Sequence, residues 1–314
     1  METVVLIVVA GLFAVVSGIN DGGALLATGL KLPAIRPAVG ILALVVLVAL
    51  VPLVTYQVAL TFVTRLATFQ GPGGKVATTV AVVCALVVVF TLSARGRPTS
   101  LTLAVVGGLT GAGLGWGLPV SGGAVALVLA FGLAAPFAGA LLSWLLIRFL
   151  VRVTDAPGLT RWHWTGFLLQ TLAYAANDGQ KMLAVFMIAI GFTGAPLAYT
   201  SLVAALFGLG ALYGLPKAGR TLSREIIVSR PAHGVAAELA AGTAVIACAA
   251  VGMPVSMTQA VAGGLIGAGV AQGGGRVRWY AAVKIVVAWL LTLPLSALLA
   301  ATVAFVLKGM RGTW

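Results

Sequence analysis

GRPTSLTLAVVGGLTGAGL, residues 96–114, returns as GMPVSMTQAVAGGLIGAGV, residues 252–270, with 12 of 19 positions identical at an offset of 156. A second pair lies at nearly the same spacing, because Asn20-Asp21 recurs as Asn177-Asp178 at an offset of 157. Each half of the chain therefore runs from an Asn-Asp pair, across about 79 residues, to a Pro-x-Ser-x-Thr segment followed by glycines. Internal duplication in a membrane chain is the mark of a transporter whose site lies where the repeats meet.

Apolar residues make up 61% of the 314 and charged residues 8%, against roughly 25% charged in a soluble domain. A composition so poor in charge implies an integral membrane protein, and its continuous apolar runs make an all-α one the expectation. The apolar runs 76–92, 118–135, 197–212 and 283–307 suit membrane helices, which need about 20 residues. We count about ten spans, re-entrant segments included. Such continuous runs do not fit the weakly alternating strands of a barrel.

A net charge of +13 would point a soluble protein towards nucleic acid, but here the basic residues fall in breaks between apolar runs and report topology instead. Arg148, Arg152, Arg161 and Lys217, Arg220, Arg224, Arg230 flank a region of two crossings and so share one side, the cytoplasmic one by the positive-inside rule. Lys31 and Arg36 follow the opening span of the first half, whereas the matching turn 191–196 carries no charge. That asymmetry predicts two inverted-topology repeats of about five spans each, with the N-terminus outside. Arg65 and Lys75 then fall outside, against the rule.

The opening run begins Met1-Glu2 without a basic flank and reads as a retained helix rather than a signal peptide. Cys84 and Cys248 sit inside apolar runs as small apolar residues, and Trp116, Trp144, Trp162, Trp164, Trp279 and Trp314 near span ends read as interfacial anchors. The organisation is a first transmembrane repeat over 1–152, a short cytoplasmic linker over 153–162 and a second repeat over 163–314. Helix signals break at 18–23 and 177–179, where Gly, Asn and Asp favour non-helical backbone. Irregular backbone at membrane depth has to line a cavity or lie buried in protein, so broken helices or re-entrant hairpins are expected.

Three of six acidic residues, Asp21, Asp178 and Glu238, lie in apolar surroundings. A carboxylate near a bilayer centre costs about 3 kcal/mol on insertion scales and normally meets a cation, a basic group or water. Asn20-Asp21 and Asn177-Asp178 read as two halves of a cation site, with Na+ possible at Asp21 and Asp178, since hard cations take oxygen ligands. The plainer alternative is pairing with Lys181 or capping of a broken helix. Ser100, Thr102, Ser256 and Thr258 follow Pro98 and Pro254 as helix starts. Two such starts facing one another would offer N–H groups, hydroxyls and positive dipole ends to an oxyanion. The glycines at 107, 108, 111, 113 and 263, 264, 267, 269 read as close-packing positions.

Paired Asn-Asp motifs followed by paired Pro-Ser-Thr segments resemble the inorganic phosphate transporter (PiT) family of secondary transporters. The second half is the closer match, through Ala176-Asn177-Asp178-Gly179-Gln180-Lys181, Gly234-Val235-Ala236-Ala237-Glu238-Leu239, residues 252–258, Val277-Arg278-Trp279 and Lys284-Ile285. The resemblance implies symport of phosphate with Na+ or H+ by alternating access, in the cell's inner membrane. Carried over by position, it nominates Asn20, Asp21, Asn177, Asp178 and Gln180 for cations and Ser100, Thr102, Ser256 and Thr258 for the anion.

The family pattern Pro-Val-Ser-Thr-Thr-His is altered here. Leu101 and Met257 replace its first threonine, Leu103 and Gln259 its histidine, and Ala24 stands where a second asparagine is common. Fewer polar ligands remain, which keeps sulfate open beside phosphate. Lys181 is either an anion contact or the counter-charge to Asp178 and Asp21. Glu238 lies opposite Val82 in the repeat alignment, an unpaired position suited to proton handling or to a bond with a basic group. His163 and His233 flank spans and read as interfacial. A passive anion channel and a membrane-embedded enzyme are the other classes weighed, and no His-Asp-Ser cluster supports the enzyme. Expected partners are the anion, membrane lipid and, in a homodimer, a second copy; no cofactor and no nucleic acid are expected.

Overall fold

The structure is a computed structural model that describes residues 1–22, 25, 34–66, 68–69, 72–94, 99–225, 227 and 230–311. Ala24, Lys31, Pro98 and Trp314 lie outside these residues, as do the side chains of Lys217, Arg220 and Arg224. Among the described residues the protein is helical, with no strand beyond an isolated bridge between Ile227 and Val277. The helices are α1 (Glu2–Ser17), α2 (Pro37–Val54), α3 (Gln57–Leu60), α4 (Pro72–Ala94), α5 (Leu101–Trp116) and α6 (Gly122–Val153), then α7 (Ala156–Tyr174), α8 (Gln180–Ile190), α9 (Leu197–Glu225), α10 (Pro231–Ala250), α11 (Met257–Ala271) and α12 (Trp279–Arg311).

Among the described residues seven helical stretches are long and apolar enough to cross a membrane: Glu2–Gly22, Pro37–Val54, Gly73–Ser93, Gly122–Val153, Leu197–Gly214, Pro231–Ala250 and Trp279–Met310. The further apolar helices Leu101–Trp116 and Met257–Ala271 are shorter, and α7 and α8 form one interrupted helix. The protein is thus a multi-pass membrane protein. Phe137, Leu141 and Leu145 stand exposed at four-residue steps along α6, a stripe that suits a lipid surround.

The expected breaks take a specific form. Gly18–Gly22 and Ala175–Gly179 are π-helical turns, 157 residues apart, so the chain stays helical and gains one residue per bulge instead of unwinding. The polar linker is also mostly helical. The helix α6 continues to Val153 and α7 starts at Ala156, because the Asp155 carboxylate accepts the Gly158 N–H at 2.8 Å and caps the new helix.

Two hairpins open at opposite ends of α12. Lys75 Nζ donates to Thr3 Oγ1 at 2.8 Å and Gly73 lies against the Trp116 indole, so the open end of the α4–α5 hairpin sits beside the start of α1. Lys308, near the end of α12, reaches Gly117 there. The α10–α11 hairpin is closed by a 3.0 Å bond between His233 Nε2 and Gln272 Oε1, next to the residues that lead into Trp279. At some 1.5 Å per residue, α12 separates these ends by a membrane thickness.

Glycines bring the hairpins against helices from the other half. A Cβ on Gly107, Gly111 or Gly115 of α5 would run into the carbonyl oxygens of Leu293, Ala297 and Ala301 on α12. In the same way Gly263 and Gly267 of α11 face the carbonyls of Pro136 and Ala140 on α6. Gly108 and Gly264 close each hairpin on itself, against Ala81 and Ala237. Four-residue steps on both partners place small residues along one seam, and hydrogen is the only side chain that fits.

The histidines differ from the interfacial reading. His163 and His233 are 3% and 0% exposed. His163 Nδ1 lies 2.7 Å from Glu238 Oε2, an approach allowed because Gly166 leaves room for that carboxylate. His233 Nδ1 accepts the Arg230 N–H at 2.9 Å, serving the start of α10. Trp162, Trp164 and Trp279 are exposed, and Arg148 stacks on Trp144 with 3.5 Å between guanidinium and ring centroid.

Candidate functional site at the hairpin tips

Each hairpin tip is a helix start. Ser100 precedes α5 and its hydroxyl accepts the Leu103 N–H at 3.2 Å. Ser256 precedes α11, with its hydroxyl 2.9 Å from that of Thr258. The second tip is shaped by a Schellman closure of α10. Gly252 takes φ +75°, its N–H donates to Ala249 O, and the Met253 N–H donates to Cys248 O. The Gly252 carbonyl in turn accepts from Thr61 Oγ1 at 2.6 Å, tying the tip to the segment after α3.

The tips meet, since Thr102 Oγ1 donates to the Val255 carbonyl at 3.1 Å. The interrupted helix α7–α8 supplies the rest. Asn177 Nδ2 donates to Val255 O at 2.7 Å and Asn177 Oδ1 accepts Val255 N–H at 3.1 Å, so both polar ends of one side chain clasp one residue of the tip. One turn on, Lys181 Nζ donates to Thr102 Oγ1 at 2.6 Å and Val255 O at 3.0 Å, and pairs with Asp178 Oδ1 at 2.7 Å. Asp178 and Lys181 are 4% and 5% exposed.

The first half contributes Asp21, 4% exposed, whose Oδ1 accepts from Asn20 Nδ2 at 3.0 Å. Asp21 lies within electrostatic reach of Asp178 and Lys181, although 157 residues of chain separate the two Asn-Asp pairs. Gln180 is fully buried, and its carbonyl accepts the N–H groups of Val58 at 2.8 Å and Ala59 at 3.4 Å. That fixes its orientation and leaves the Nε2 donor without a partner among the described residues.

Thr102, Asn177, Asp178 and Lys181 therefore converge directly, with Asp21 in reach of their charges. Ser100, Ser256 and Thr258 line the flanking helix starts. Glu238 stands apart, paired with His163. Three contributors escaped the sequence reading. The Val255 carbonyl, which three side chains address, belongs to an apolar residue and leaves no trace in the sequence beyond the turn residues Gly252 and Pro254. Tyr174 is fully buried, its hydroxyl has no hydrogen-bond partner among the described residues, and it lies within electrostatic reach of Asp21 and Asp178. Thr99 has a buried hydroxyl in the same condition. Both could be flagged only by their positions, one turn before Asn177 and next to Ser100.

Buried carboxylates and hydroxyl-bearing helix starts thus meet where two hairpins of a multi-pass helical protein come together. Residues 159–300 match the profile of the Phosphate transporter family. A "Probable low-affinity inorganic phosphate transporter" of Rhizobium meliloti (strain 1021) is 31% identical over 227 residues, covering 67% of this chain and 68% of that protein. One of the same name from Mycobacterium tuberculosis (strain ATCC 25618 / H37Rv) is 33% identical over 225 residues, 66% of this chain and 54% of the relative. The chain spans about half the length of the mycobacterial relatives it matches. A solved structure titled "The sodium-dependent phosphate transporter" superposes with a TM-score of 0.85 over 98% of this chain and 99% of its own, at 18% identity. The chain belongs to the phosphate transporter family. Its relatives are named as transporters and permeases, which sets the enzyme reading aside.

Proposed function

We propose that this protein is a secondary active symporter that carries inorganic phosphate across the membrane by alternating access, coupled to Na+ or H+. The observation that carries the reading is the meeting of two opposed hairpin tips at Thr102, Lys181 and Val255, beside Asp21 and Asp178. Helix starts at Ser100 and Ser256 suit an oxyanion through their hydroxyls, free N–H groups and dipole ends. Among the cation residues, Asp21 and Asp178 supply charge. The name of the structural neighbour favours Na+ as the coupling ion.

In this reading the halves 1–152 and 163–314 are inverted-topology repeats. The 157-residue offset between the π turns, and the exchange of packing between α5 with α12 and α11 with α6, support it. The N-terminus lies outside and the 153–162 linker in the cytoplasm, in the inner membrane. Rocking of one hairpin bundle against the other exposes the site to each side in turn.

Proteoliposome uptake of radiolabelled phosphate and sulfate, with and without an inward Na+ or proton gradient, tests this. Phosphate should accumulate above leak when the gradient is present and lose that accumulation in Asp21→Asn. Uptake that only equilibrates, or a gradient response unchanged in Asp21→Asn, refutes coupled transport; preferential sulfate accumulation refutes the substrate.

A further inference from the structure

An ammonium group carries three N–H donors and no acceptor. In Lys181 all three point at protein oxygens: Asp178 Oδ1 at 2.7 Å, Thr102 Oγ1 at 2.6 Å and Val255 O at 3.0 Å. A carboxylate, a hydroxyl and a backbone carbonyl are the ligand types that hard metal cations take. They come from three elements, α7–α8, the start of α5 and the tip before α11, and close around a side chain that is 5% exposed. No donor of this ammonium is left for an anion.

The two halves are unequal here. Position 181 lies 157 residues after position 24, which is alanine. Asp178 therefore has a cation built in one turn away, while among the described residues the Asp21 carboxylate forms no ion pair and accepts only from Asn20.

We propose that the Lys181 ammonium is a tethered cation that fills one of two cation positions of the transporter, so that the Asp178 position is closed to a mobile ion and the Asp21 position alone takes one. The proposal rests on the cation-coupled reading above. It assigns Lys181 to the coupling machinery and gives the substrate anion no direct contact with it. The oxygen shell that holds Nζ is thereby a latent Na+ site.

The test is Na+-dependent thermal stabilisation of the full-length protein in detergent, NaCl against choline chloride at equal ionic strength, without phosphate. Lys181→Ala should gain a Na+ response over and above that of wild type, whose Asp21 position already takes one ion. The gained response should survive Asp21→Asn and vanish in the Asp178→Asn/Lys181→Ala double variant. Should Lys181→Ala unfold in choline chloride, Na+ must restore its folded state. In proteoliposomes the variant should carry one more Na+ per phosphate than wild type, read from the Na+ dependence of uptake.

No Na+ response beyond wild type in Lys181→Ala overturns the proposal, as does a gained response that persists without the Asp178 carboxylate. So does a variant whose phosphate-dependent stabilisation falls while its Na+ response stays as in wild type, since Lys181 is then an anion contact. The thermal readout needs neither phosphate nor transport, so absent uptake in wild type would sink the symporter reading without deciding this one.

Discussion

Asn177 and Asn20 occupy the same place in the duplicated motif, yet substituting them should have unequal effects. Asn177 is fully buried and makes two hydrogen bonds to Val255, at 2.7 and 3.1 Å. Each buried bond contributes a net 0.5–1.5 kcal/mol or so, and a buried N–H left unpaired costs about 1–3 kcal/mol. In Asn177→Ala the Val255 carbonyl keeps Thr102 and Lys181 as donors, whereas the Val255 N–H loses the partner described for it. The expected loss is about 2–4 kcal/mol. Asn20 is only half-buried and its amide donates to the neighbouring Asp21, so Asn20→Ala should lose about 1 kcal/mol or less. Thermal unfolding of the purified variants in one detergent gives the comparison, with Asn177→Asp as a third arm. The aspartate keeps the acceptor for Val255 N–H but loses the donor and adds a carboxylate beside Asp178, so it should be no milder than alanine. Equal midpoints for Asn177→Ala and Asn20→Ala would refute the clasp on the hairpin tip.

Other expectations follow from packing and burial. Gly111→Ala should destabilise by roughly 1–2 kcal/mol, since a clash with the Ala297 backbone outweighs the gain of about 1 kcal/mol in helix propensity; Gly123→Ala, with open space around it, should be neutral or slightly stabilising in the same unfolding assay. His163→Ala should cost some 2–4 kcal/mol by stripping Glu238 of a buried partner, and the His163→Ala/Glu238→Ala double variant should cost less than the sum of the singles in a double-mutant cycle. Tyr174→Phe removes a buried hydroxyl that lacks a partner among the described residues, so its unfolding midpoint should hold or rise.

Repetition, apolar runs and hydroxyls after proline suffice to locate the hairpins, because helix starts and close-packed glycines are written in local sequence. Ser100 and Ser256 fall directly before α5 and α11, and Gly107 and Gly263 do pack. The form of the breaks was harder to read. Asn, Asp and Gly disfavour helix on their own, yet packing against α9, through Gly18, Gly22 and Gly210, keeps the first break helical as a π turn. The junction at Val255 is backbone, and no side-chain letter marks a carbonyl that three donors address. His163 reads as interfacial by position; Glu238, 75 residues away, draws it inside. Asn177 and Gln180 look alike as oxygen donors in sequence, but in the fold both carbonyl oxygens already accept backbone N–H groups.

The glycine seams run across the duplication, since α5 lies on α12 and α11 on α6. A body that moves one hairpin tip must then take with it a long helix encoded in the opposite half of the gene. Under the alternating-access reading proposed above, the covalent halves of this protein are not its mechanical halves, because each moving unit combines a hairpin from one half with a long helix from the other.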